Sequence, residues 1–536
     1  MSDASPTGPS DQPESTRPLA SYETTGPAGG GDGGDGAAGG RGSRRGLVIG
    51  SVAAVVLLAL GGAAFAAYSV LAGDGPQPDD VLPASTVALV TIDLDPSASQ
   101  KIAAIRSIRK FPALKETLGL DADDDLRKFI FDKATADGDC GALDFDEDVE
   151  PWVGKRAGFG AVDLGDEEPA PAIALQVSDA AEAKKGFDAI VACAEPGDDF
   201  AYVVGEDYLI ASDSKEHAQE ILDQGRDKPL ADDAAYQKWT DEAGDAGVVN
   251  FYVARKAAEY LEEFIGEFTA GAPGAAEQLD GFQGLAGSVR FADGGMELGI
   301  ALGGVNQIQS NVEVGDKIGD LPKDTAVALG FGVPDDYAEV VLDQVSGVFG
   351  DDDFIARAET ETGLDLPEDL QTLLGSAITL SVGGDAPASL EDLDGPEELP
   401  VGLVIHGDAE KITDIVAKVE ERTGMSLSDI PVVLSSTDDK VVLSPSEYGK
   451  ELLADGDLSS DDGFRSAVPE ADRANGVVYV DFDSRWRDAL LDVIRSEEGD
   501  DAGTEAEENT APLKSLGLSS WLDGDVSHVL VKVSTD

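Results

Sequence analysis

The chain has 536 residues, 42% of them hydrophobic, and its 38 Lys and Arg stand against 106 Asp and Glu for a formal net charge of -68. Such an excess of acid argues against nucleic-acid binding, in which Lys and Arg must neutralise phosphates. The apolar content excludes wholesale disorder, and the length suits three to four average domains.

Residues 1–45 are rich in Gly, Pro and Ser with almost nothing to bury, as in SPTGPSDQPESTRP and GPAGGGDGGDGAAGGRG. They predict a disordered cytoplasmic tail, read either as a tether and docking segment or as a plain solvated leader. Residues 46–72, GLVIGSVAAVVLLALGGAAFAAYSVLA, run 27 residues without a charge, and about 20 in a helix suffice to cross a bilayer core. A transmembrane helix is expected there. Arg41, Arg44 and Arg45 abut its start, whereas Asp74, Asp79 and Asp80 follow its end. The positive-inside rule then keeps the tail in the cytoplasm and places the rest outside. A cleavable signal peptide fits less well, because the leader is long and the run exceeds the usual core of roughly 7–15 residues.

The part after residue 72 holds 34 bases and 100 acids, a net charge of -66. Beyond a spacer at 73–81 it repeats itself. LPASTVALVTIDLDP from Leu82 answers LPKDTAVALGFGVPDD from Leu321, and the correspondence continues in order from Asp144 to Asp365, Pro171 to Pro400, Ala201 to Val432 and Gly247 to Gly476. The offsets between these starts lie between 365 − 144 = 221 and 321 − 82 = 239. Two homologous ectodomain lobes are expected, 82–303 and 321–536, with 304–320 as the linker.

Within the first copy, VALVTIDL, AIALQV, AYVV, YLIAS, VVNFYV and SVRF have the composition and alternation of strands. KKGFDAIVA, EHAQEIL and RKAAEYLEEF have helical spacing. The turns in VVGEDYLI and RFADGGMELGIAL predict hairpins, hence antiparallel neighbours. The fold class is therefore α+β: two tandem lobes, each a largely antiparallel sheet backed by helices. Cys140 and Cys193 are the two cysteines, both in the first copy, and an oxidising exterior predicts a disulfide between them.

Signals for chemistry are sparse. His217, His406 and His528 are the three histidines; His217 falls on a predicted surface helix, and His406 and His528 lie in or beside predicted strands. No GxSxG, HExxH or Walker pattern occurs. The SxxK matches at Ser107 and Lys110 and at Ser212 and Lys215 read better structurally, the second as a helix start, with Asp213 and Glu216 at capping distance. Ser444 and Glu447 form an S-x-x-E capping box on the same reasoning. Asp121, Asp123, Asp125 and Asp132 take positions of a calcium loop, but Leu126 stands where that loop needs Gly and Asp132 where it needs Glu. No catalytic residue, cofactor or metal is assigned.

The most distinctive local feature is electrostatic. KIAAIRSIRKFPALK carries Lys101, Arg106, Arg109, Lys110 and Lys115 and no acid, while the matching stretch of the second copy carries Asp335, Asp336, Glu339, Asp343, Asp351, Asp352 and Asp353 and no base. These are candidate docking helices between lobes or between two copies of the chain, with charge setting register and orientation. The alternative is two unrelated solvated faces.

The order of leader, single anchor helix and then LPASTVALVTIDLDPSASQKIAAIRSIRKFP resembles an actinobacterial family of single-pass membrane-anchored proteins classed as a domain of unknown function. The resemblance covers the exported part and implies an envelope-facing protein. It brings no catalytic residues with it. The expectation is thus a non-enzymatic envelope protein with an acidic duplicated ectodomain that binds or scaffolds an envelope partner. The alternatives are a receptor with a cleft between lobes and a carboxylate-dependent hydrolase.

Overall fold

A computed structural model covers the whole chain and describes residues 76–93, 110–111, 127–128, 131, 143–193, 201–260, 281–292, 294–304, 310–349, 354–385, 387, 393, 395–427 and 430–536. The chain divides into two units, Met1–Ser43 and Arg44–Asp536, and all that follows concerns the second. The expected tail, the apolar run 46–72, Cys140, the four acids of the calcium-like loop and most of the basic stretch lie outside the described residues. Cys193 is the last residue of its helix.

The fold is α+β, built on one 16-stranded sheet in which every described pairing is antiparallel. Eight strands come from the N-terminal half: β1 (Thr86–Asp93), β2 (Val153–Val162), β3 (Ala170–Val177), β4 (Ala201–Val204), β5 (Tyr208–Ser212), β6 (Val249–Ala254), β7 (Gly284–Ala292) and β8 (Gly295–Gly303). Eight more follow: β9 (Thr325–Gly332), β10 (Ala377–Gly383), β11 (Val401–His406), β12 (Val433–Ser436), β13 (Lys440–Ser444), β14 (Gly476–Asp481), β15 (Leu513–Asp523) and β16 (Val526–Thr535). In space the order is β12-β13-β11-β10-β9-β14-β15-β16-β8-β7-β6-β1-β2-β3-β5-β4. Read from the two ends inward, the orders are the same.

The halves meet where β16 pairs with β8 over nine residue pairs, from Val526 with Gly303 to Ser534 with Gly295. Gly295 and Val526 open the two strands, so Gly299 and Leu530, paired at the middle of the ladder, are equivalent positions with an offset of 530 − 299 = 231. A pseudo-twofold axis passes between them. Both predicted hairpins form, β4 with β5 and β7 with β8.

Strand alternation gives the sheet two faces. The first is packed by α2 (Lys215–Asp227) and α3 (Ala234–Ala243) in the N-terminal half, with Ala218, Ile221, Leu222 and Trp239 against Leu89, Ala172, Ala174 and Ile210. In the other half α4 (Gly315–Gly319), α9 (Tyr448–Leu453) and α10 (Asp462–Ala467) set Ile318, Leu452, Phe464 and Ala467 against Ala328, Val404, Val442 and Tyr479. Ile318 and the preceding Val314 have no exposure. Part of the stretch read as a linker, 304–320, therefore packs into the C-terminal core.

The second face carries α1 (Ala180–Cys193), whose Ala183 and Phe187 join Phe145, Val149 and Trp152 over Leu209 and Ala211. Its counterpart is α8 (Ala409–Thr423), with Ala409 and Ile412 over Ile405 and Val441. Asp408 caps the start of α8, and Gly424, at φ 71°, ends it in the left-handed conformation that glycine adopts without strain. Between β9 and β10 lie α5 (Tyr337–Phe349), α6 (Phe354–Thr362) and α7 (Glu368–Leu374). Between β14 and β15 lie α11 (Trp486–Glu498) and α12 (Asp500–Thr510).

Two capping expectations change. Ser214, not Asp213, is the N-cap of α2 and accepts from the His217 N–H. The Ser444 to Glu447 box does not form, because Ser444 is the last residue of β13 and its hydroxyl donates to the Val401 carbonyl. The N–H of Tyr448 donates to Ser446 instead.

Candidate functional site

One row of the second face decides where a ligand could sit. In the N-terminal half it runs Tyr202, Ala211, Ile173, Phe159, Val90 and Phe251 across six hydrogen-bonded strands. The equivalent row in the C-terminal half runs Leu434, Leu443, Leu403, Leu380, Leu329 and Val478. Three aromatic rings in the first become Leu434, Leu380 and Val478 in the second. The flanking cap changes in the same sense: by the sequence repeat, Trp152 and Phe187 become Leu373 and Val416.

The consequence is an open surface. Val90 is 1% exposed whereas its equivalent Leu329 is 38% exposed, and Leu380, standing in place of half-buried Phe159, is 43% exposed. Over Leu380, Leu403 and Leu443 lies a groove of about 440 Å³, walled by Pro396, Val401 and Pro445 and bordered by Leu427, Ile430, Pro431 and Val432. That volume falls in the range of roughly 300–1,000 Å³ usual for ligand sites. Met425, Ile430 and Val433 beside it are also exposed. Large apolar side chains gathered in water cost solvation free energy, and a contiguous patch of them marks a binding surface.

The lining consists of Leu, Ile, Val, Pro and Gly, so it offers no side-chain hydrogen bond. Its floor offers little from the backbone either, since β10, β11 and β13 are each paired on both sides. Among the described lining residues no side chain is an acid, base or nucleophile, and what they offer a bound molecule is burial of apolar surface.

The seam between halves is an organised polar site. Lys532 Nζ lies 2.9 Å from Glu297, and Arg290 lies 3.7 Å from the same carboxylate. At the pseudo-symmetric position Trp521 stacks on His528 with ring centroids 5.0 Å apart, and Arg473 covers the Trp521 ring at 4.1 Å. His528 Nε2 lies 3.5 Å from Glu242 on α3. Burial, reinforced by Arg473, nevertheless holds the imidazole below its ordinary pKa, so at neutral pH this contact is polar rather than an ion pair. The halves thus join through a hydrogen-bonded ladder with a charged cluster on one side of the axis and an aromatic stack on the other.

The remaining histidines sit apart from the groove. His406 Nε2 is 3.4 Å from Thr379 Oγ1, and burial beside Lys317 and Lys440 pushes its pKa down to about 4. Thr379 has no exposure and cannot serve as a nucleophile. His217 contacts Asp213 at 2.6 Å and Asp166 at 3.4 Å on the surface of α2. Ser212 is fully buried and donates to the Pro171 carbonyl. Asp79, Asp320 and Asp481 are raised, chiefly by burial, but each among different neighbours. Among the described residues no group of three metal-ligand side chains converges.

Of the basic docking residues Lys101, Arg106, Arg109, Lys110 and Lys115, only Lys110 is described, and its Nζ donates to Thr535 Oγ1 at 2.9 Å across to the C-terminal half. Sequence reasoning did not single out the groove. The signal available was the loss of aromatics between repeats, which becomes informative only once the register is known.

No family model matches this chain, and no curated protein does. Two solved structures are similar to part of it: "Structure of crystal form I of TP0453", 9% identical over 45% of this chain and 83% of that one at a TM-score of 0.22, and "Structure of crystal form III of TP0453", 8% identical over 44% and 83% at 0.23. Scores so low carry no argument about fold or function.

Proposed function

We infer that this is a membrane-anchored, non-enzymatic envelope protein whose extracytoplasmic part, two tandem homologous lobes, binds a partner through the open apolar face of its second lobe. The anchor is the uncharged run 46–72, with Arg41, Arg44 and Arg45 on the cytoplasmic side and a disordered tail before them. Among the described residues no helix is long and apolar enough to span a bilayer, and that run lies outside them. The observation that carries the binding reading is the exposure of Leu329, Leu380, Ile430 and Val433 around a groove whose described lining is apolar. The receptor alternative lacks comparable support, since the halves meet in a ladder. Among the described residues the hydrolase alternative has no converging pair of raised carboxyls behind it.

A photo-crosslinking residue placed at Leu380 of the full chain in cells, with Glu505 on α12 as the control site, tests the reading. The expectation is adducts at 380 well above those at 505, together with external protease access to the part after Ala72. Equal labelling at the two sites removes the binding role, and protection from protease removes the topology.

A further inference from the structure

We propose that the groove of the second lobe seats an amphipathic helix whose outer side is cationic, supplied by a partner protein; this rests on the binding role just described and names the chemistry of the partner. Three observations carry it. The floor strands have spent their backbone groups on one another, and the lining side chains hold no donor or acceptor. An extended peptide laid there would leave its own amides unsatisfied, at a cost of about 1–3 kcal/mol for each buried group. A helix satisfies its amides internally and brings only side chains, spaced i, i+3, i+4 and i+7, to an apolar groove.

The third observation is charge. Among the described residues within two positions of the lining, the charged ones are Glu397, Glu398 and Glu447, and Glu447 is paired with Lys450. Glu397 and Glu398 are described, exposed, and follow the wall residue Pro396 directly. An apolar floor beside the exposed Glu397 and Glu398 favours an occupant with apolar and cationic sides, and disfavours anionic ones, including acidic lipid head groups.

The test uses the full chain in nanodiscs of zwitterionic lipid, with empty discs as background. The probes are three labelled 18-residue peptides: Leu at i, i+3, i+4, i+7 spacing with Lys elsewhere, the same Leu pattern with Glu elsewhere, and the Lys peptide with Leu replaced by Ser. The Lys–Leu peptide is expected to bind at least about tenfold more tightly than either other and to slow amide exchange at 425–433. Leu380→Lys should weaken it about tenfold. Glu397→Gln with Glu398→Gln should weaken it about threefold and flatten its salt dependence.

Equal binding of the Glu peptide, or full binding to Leu380→Lys, overturns the proposal. So does exchange protection at 425–433 that appears without peptide and rises with protein concentration, which assigns the groove to a second copy. Protection on adding neutral-lipid vesicles assigns it to acyl chains and overturns the proposal too. Crosslinks at Leu380 without peptide binding sink the helical partner alone, whereas loss of both sinks the binding role as well.

Discussion

The two halves of the sheet have the same strand order and differ on one face. In the N-terminal half, Trp152 packs edge-on against Phe187 with centroids 6.3 Å apart, and Phe187 lies 4.7 Å from Tyr202. These rings belong to the cap that covers Leu209 and Ala211. In the C-terminal half aliphatic residues occupy the equivalent positions, and the strands beneath are partly exposed. The lesson is that a duplicated scaffold can keep its hydrogen-bonded skeleton while side-chain volume alone decides whether a face is core or surface.

The sharpest way to break the comparison is to empty the cap. Trp152→Ala should cost about 3–5 kcal/mol, because a fully buried indole is lost together with its bond to the Asp148 carbonyl. Leu373→Ala, its half-buried counterpart, should cost about 1–2 kcal/mol. Urea unfolding of both variants checks this, and equal losses would mean the two caps contribute alike.

Next comes the seam that both halves share. Glu297→Ala leaves Lys532 and Arg290, on the strands either side of β8, without the carboxylate between them and should cost about 2 kcal/mol, short of the 3–5 of a fully buried pair. A smaller loss in 0.5 M salt would sharpen the assignment to charge, since these groups are not wholly enclosed.

The third prediction separates the halves by pH. His406 belongs to the C-terminal half, and its folded pKa of about 4 lies below the ordinary 6.5. The unfolded chain therefore takes up the proton first. Stability from this group is complete above about pH 6.5 and declines as pH falls toward 4. Against His406→Gln, the wild type should lose about 1–2 kcal/mol between pH 7 and pH 4.5, read from paired urea midpoints. Parallel curves would mean that His406 is not held neutral.

The smallest effect is the most diagnostic for the groove. Leu380→Lys should change stability by less than about 0.5 kcal/mol, because its side chain is already 43% exposed. A large loss in thermal unfolding would mean that Leu380 is core, and the open face would then be a misreading of the comparison.

Much of the skeleton was legible in sequence. The hairpins declared themselves at Gly205 to Asp207 and at Asp293 and Gly294, between alternating apolar runs. β2 was not legible: its GKRAGFGAV carries Gly154, Gly158 and Gly160 and the pair Lys155 and Arg156, which lowers strand propensity. The fold needs those glycines, since a Cβ at Gly158 would come within 2.6 Å of Pro78. The segment holding Pro78 is in turn fixed by Tyr208 and Arg156, which both donate to the Pro76 carbonyl.

By itself the amino-acid sequence determined the acidic character, the uncharged run, the duplication and the antiparallel α+β class, because these follow from composition and from local periodicity. Only the tertiary structure decided that β8 and β16 join the halves into one sheet, and that exposed Leu329 and Leu380 share a row with half-buried Leu403 and Leu443. Both depend on pairing between strands far apart in the chain, and on which side chains happen to face the same row. Neither leaves a local trace, so only the folded register could reveal the groove.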